Sequence, residues 1–105
     1  MTEEDKQLIA EYMGWTYHQT DDKKWWNLIG KDGSTHLLDL NDAGLCVQEI
    51  QKRGSIFEFY MHLIDVYNDL IKDGKEICGA DNFTVWLFNP DNFFGAMAQC
   101  LREGK

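Results

Sequence analysis

The chain has 105 residues, 44% hydrophobic and 13% aromatic, enough for one core but with no room for a catalytic domain beside a regulatory one. Its 18 acidic and 10 basic side chains give a formal net charge of −8, which argues against a phosphate-neutralising nucleic-acid binder and against docking on an anionic membrane, and favours a basic partner. No apolar run approaches the roughly 20 residues of a bilayer span, and Thr2-Glu3-Glu4-Asp5-Lys6 is the opposite of a basic signal-peptide start, so a cytoplasmic protein is expected.

Thr2 ahead of three acidic residues reads as a capped first turn, and Leu8, Ile9, Tyr12 and Met13 recur at helical spacing, predicting a helix over about residues 3–13 that Gly14 ends. Trp15 and Tyr17 then suggest a short strand broken by Thr20-Asp21-Asp22-Lys23, followed by a second strand over about residues 24–30. Gly30-Lys31-Asp32-Gly33-Ser34 is a turn that returns the chain into a third strand, Thr35 to Asp39, making a hairpin. Asn41 or Asp42 can cap the next helix, whose apolar positions Ala43, Cys46, Val47 and Ile50 lead to a cationic end at Lys52-Arg53-Gly54.

From Ser55 to Asp73-Gly74 the apolar residues keep a helical period for more than four turns; the aromatic, β-branched start also fits a strand, but alternation fails at Phe59-Tyr60 and Leu63-Ile64. The run from Phe83 to Phe88 reads as a strand apolar on both faces, central in the sheet, which hands over at Asn89-Pro90-Asp91 to a final helix over about residues 90–102. The expected fold is therefore α+β, a small, mostly antiparallel sheet packed with about four helices, in a single domain over residues 1–105.

The segments IAEYMGW (9–15), LNDAGLCVQEI (40–50) and VWLFNPDNFFGAMAQCL (85–101) resemble a family of small uncharacterised bacteriophage and prophage proteins that look like an α/β sandwich. The resemblance covers a third to a half of the chain. It implies a scaffold, carried by Tyr12, Met13, Gly14, Trp15 and Pro90, and a phage or prophage setting. It implies no catalytic or ligand-binding position.

Motifs for catalysis are missing: there is no glycine-rich phosphate loop, nucleophile elbow, paired-cysteine motif or HExxH. Cys46, Cys78 and Cys100 are odd in number and widely spaced, as reduced thiols are; two lie on apolar helix faces and Cys78 in a loop. His18, His36 and His62 are each followed three residues later by a carboxylate, Asp21, Asp39 and Asp65. A metal site or general base at His62 and Asp65 would need further ligands to converge, so exposed, solvated pairs are the simpler expectation, with no metal and no cofactor.

Glu58, His62, Asp65, Asp69 and Asp73 line the polar side of the long helix opposite its apolar stripe, an acidic ridge whose like charges mildly oppose the helix that carries them. The plain alternative is an ordinary solvated face relieved by Lys72 and Lys75. Trp25 and Trp26 are adjacent, so in a strand they point to opposite faces; either helices cover both or one is exposed as a partner anchor. The expected function is non-catalytic: a phage-type accessory protein, anti-CRISPR-like, in the host cytoplasm, whose acidic ridge blocks the basic nucleic-acid groove of a host factor such as a defence nuclease. The runner-up is an interaction or homodimerisation module using the aromatic hairpin, and the third reading a small metal-dependent enzyme.

Overall fold

Capping chemistry fixes the two outermost helices, and their packing closes the fold. The computed structural model describes residues 2–103. Helix α1 spans Glu3–Met13; the Thr2 hydroxyl accepts the Asp5 amide at 3.1 Å while the Asp5 carboxylate accepts the Thr2 amide at 3.4 Å, a reciprocal capping box. Gly14 stops the helix with φ 73°, a left-handed conformation that glycine adopts without a Cβ penalty. The last helix, over Pro90–Arg102, starts as its sequence predicts: Asn89 Oδ1 accepts the Asp91 amide at 3.0 Å and Pro90 takes the first helical position. The two helices pack together, and an ion pair of Asp5 with Arg102 spans them.

Between them lies an antiparallel sheet in the order β1-β2-β3: β1 Thr16–Gln19, β2 Trp26–Ile29 and β3 Thr35–His36. Thr16 pairs with Ile29 and Leu28 with His36. Trp26, Leu28 and His36 face the helices, whereas Thr16, His18 and Thr35 face outward, following the alternation of strand side chains. The third strand is shorter than expected because Leu38 takes φ 60°, turning the chain out of the ladder before Asp39. Helix α2 then runs over Leu40–Lys52, capped by Asp39 rather than by Asn41 or Asp42; Asp42 is instead the capping-box partner, its amide donating to Asp39 Oδ1 at 3.0 Å.

Helix α3, Ile56–Lys72, holds the long period its sequence announces. The strand expected over Phe83 to Phe88 is a helix, α4, Ala80–Leu87, so the final helix is α5 and the helices number five among the described residues. A run of six residues in which only Thr84 is polar carries no periodicity to separate strand from helix, and packing decided it: Phe83 and Trp86, one turn apart, both close on Tyr67 of α3, at ring-centroid distances of 5.2 and 5.4 Å. The Tyr67 hydroxyl donates to the Ile77 carbonyl and holds the α3–α4 connection to the same ring. Val85 and Phe88, which a central strand would have buried, are exposed. The core seals around Ile9, Leu28, Cys46, Phe94 and Met97, one or two from each of α1, β2, α2 and α5.

Candidate functional site

Helix α3 carries three different surfaces. At about 100° per residue, Glu58, Asp65 and Asp69 fall within a sector of about 40°, and Phe57, Met61 and Ile64 form a neighbouring sector, with the buried stripe of Phe59, Leu63 and Tyr67 on the far side. All three carboxylates, and Asp73 at the C-cap, are exposed. None of the four makes an ion pair among the described residues, not even Asp69 with Lys72 three positions along the helix. Arg53, which lines an apolar pocket of about 530 Å³ together with Glu58, is committed elsewhere. Its Nη2 donates to the Tyr12 carbonyl at 2.6 Å, its Nε to Glu49 at 3.0 Å, and its guanidinium lies 3.9 Å from the centre of the Tyr12 ring.

The ridge differs from its helical-spacing expectation at two places. His62 is not part of it, being only 7% exposed, because its position turns toward the core; its Nε2 has no hydrogen-bond partner among the described residues, and Asp65 faces solvent away from it. The side opposite the core is not purely polar either, since Phe57 is 70% and Met61 42% exposed. The helix thus shows solvent an acidic strip beside an apolar one.

The tryptophans separate where the loop enters β2. Trp26 lies on the helix-facing side with the Lys6 ammonium 4.2 Å from its ring centre, and Trp25 is 74% exposed at the end of the β1–β2 loop, near exposed Leu37. The hairpin therefore offers one aromatic anchor. Trp25 is held in place by its backbone, whose amide donates to the Thr20 hydroxyl and whose carbonyl accepts the Thr20 amide.

A third feature is one that residue spacing did not reveal. His36 pairs not with Asp39 but with Asp42: its Nδ1 lies 2.6 Å from Asp42 Oδ1, and both side chains are buried. A carboxylate only accepts, so Nδ1 carries a proton directed at Asp42. Nε2 lies 3.1 Å from the Ser34 hydroxyl, which is also 2.6 Å from Asp32 Oδ1. The other Asp42 oxygen accepts the Leu38 amide at 2.8 Å, fixing that residue in its left-handed conformation. The indole of Trp15 stacks on His36, centroids 4.0 Å apart and planes within 10°.

The Ser34 hydrogen bonds hold the Asp32 carboxyl below its ordinary range. The signals for this site were the alternation that puts Ser34 and His36 on one side and the acid at the third helical position, but the turn at Leu38 that joins them has no sequence signature. Among the described residues no group of three or more His, Cys, Asp or Glu could hold a metal ion. Cys46 and Cys100 are buried and Cys78 is exposed; burial, with Asp42 nearby, pushes the Cys46 thiol up to about 12. No helix is long and apolar enough to cross a membrane among the described residues. The chain matches no family model, no curated protein and no solved structure.

Proposed function

We propose that this protein is an interaction module that uses the outer surface of α3 to cover a basic, partly apolar surface of another protein. The observation that carries this reading is the placement of Glu58, Asp65 and Asp69 in one exposed strip, with no ion pair to a described cation, directly beside exposed Phe57 and Met61. Apolar anchors supply contact energy, and unpaired carboxylates supply orientation and speed of encounter. A second copy of the chain is a poor occupant, because pairing α3 with α3 would bring two acidic strips together in a protein of net charge −8.

In the phage setting that the sequence resemblance implies, the nucleic-acid groove of a host defence nuclease is a surface of this kind, with carboxylates occupying the places of phosphates. The test is capture of partners from host lysate, followed by titration of the purified partner at rising salt. Binding weakens as salt rises, and Asp65→Lys with Asp69→Lys removes it while the circular dichroism spectrum stays unchanged. Salt-insensitive binding, or full binding by the double variant, refutes the reading. The exposure of Trp25 favours a second contact surface on the hairpin. Trp25→Ala distinguishes the two, since it leaves an α3-mediated complex intact and removes a hairpin-mediated one.

A further inference from the structure

The geometry points to a catalytic relay in which Ser34 is a nucleophile, His36 its general base and Asp42 the residue that positions the base, acting on small esters in the pocket beside the β2–β3 turn. This site is independent of the α3 surface.

Three observations converge. The hydroxyl, imidazole and carboxylate follow one another at 3.1 Å and 2.6 Å, with the acid and base buried, the serine exposed as a nucleophile that must meet substrate requires, and the hydroxyl proton resting on Asp32 until it is handed to the imidazole. They open on a pocket of about 540 Å³ whose lining includes apolar Met13, Trp15 and Leu45 and the charged Lys31, Lys52 and Glu49. Gly30 is also kept small by this group: a Cβ there would lie 2.9 Å from His36 Nε2, 3.0 Å from Ser34 Oγ and 3.1 Å from Asp32 Oδ1, although its backbone conformation is open to any residue.

The apolar wall suits a short acyl group, and the two lysines suit an anionic leaving group and the developing oxyanion. Ser34 Oγ bonds to the acyl carbon while its proton passes to His36 Nε2. Collapse of the tetrahedral species breaks the ester C–O bond, and the departing alkoxide takes that proton. Water then repeats the sequence, releasing the carboxylic acid and restoring the serine. Asp32 is the brake, because its carboxylate competes at 2.6 Å for the hydroxyl proton that Nε2 must receive.

The experiment is covalent labelling by a fluorophosphonate, in which the Ser34 Oγ–P bond forms, the P–F bond breaks and fluoride leaves with the proton, followed by intact mass and peptide mapping. One adduct on Ser34 is expected, together with measurable turnover of p-nitrophenyl acetate. Ser34→Ala, a change at an exposed turn, removes both. His36→Gln slows labelling by about 100-fold or more, the usual contribution of a positioned base. Asp32→Asn speeds labelling several-fold, a gain that a purely structural role for this turn would not produce. Asp42→Asn slows labelling, because the imidazole loses the charged acceptor that orients it. No adduct on folded protein, an adduct on another residue, or labelling that is not accelerated in Asp32→Asn overturns the assignment.

Discussion

Replacing Asp42 by alanine removes the acceptor of two buried donors at once. His36 Nδ1 at 2.6 Å and the Leu38 amide at 2.8 Å both lose a charged partner that water does not replace, since Asp42 is 4% exposed and His36 8%. Hydrogen bonds to charged groups contribute about 1.5–3 kcal/mol each, giving a loss of about 3–6 kcal/mol. Releasing Leu38 from its positive φ returns about 1–2 kcal/mol of that, since a left-handed conformation strains a residue with a Cβ. The net loss is about 1–5 kcal/mol, a large share of the roughly 5–15 kcal/mol that holds a domain of this kind together. Urea unfolding followed by tryptophan fluorescence reads it directly, and Trp15, stacked on His36, lies close enough to report on the change. The midpoint should fall with the slope unchanged. By contrast Asp39→Ala, which removes only an exposed cap, should cost about 1 kcal/mol. A loss below about 1 kcal/mol for Asp42→Ala would show that the buried pair does not hold β3 to α2.

Gly30→Ala should destabilise by about 1–3 kcal/mol through overpacking against three polar atoms, whereas Gly44→Ala, with nothing within 4 Å in helix α2, should stabilise by about 0.5–1 kcal/mol; paired melts compare them. A thiol reagent at neutral pH should modify Cys78 quickly and Cys46 only on unfolding, since the Cys46 thiol is buried and pushed up to about 12; timed mass spectra separate the two. Burial raises the Tyr12 phenol above its ordinary value, against the opposing charge of Arg53, so the unfolded chain gives up this proton at a lower pH than the folded one. Stability should therefore fall as pH climbs past the ordinary tyrosine value, and Tyr12→Phe should flatten that part of the curve.

Much of the fold could be read from short-range chemistry. Thr2 with Asp5, and Asn89 with Pro90 and Asp91, set helix starts through contacts within three residues, and the long period of α3 needs no tertiary information. Phe83 to Phe88 failed for the complementary reason: its apolar side chains fit either geometry, and Tyr67, far away in sequence, selected the helix. The sites divide in the same way. The acidic strip follows from helical spacing, so all its members except His62 are where periodicity puts them, and His62 fell inward because it sits at the border of the core stripe. The partnership of His36 with Asp42 depends on a leucine in a backbone conformation that leucine rarely adopts, and no composition rule points to that.

The packing of α1 on α5 has a consequence for synthesis. On the ribosome, Ile9 and Ala10 emerge early, yet helix α5, which packs on α1 and brings Phe94 and Met97 into the same core, is translated some eighty positions later. Loop closure over such a separation is slow, so the nascent chain waits with a greasy helix uncovered and exposed to chaperones. Ribosomes halted before Pro90 should hold a protease-sensitive product, and protection should arrive in one step once α5 clears the exit tunnel.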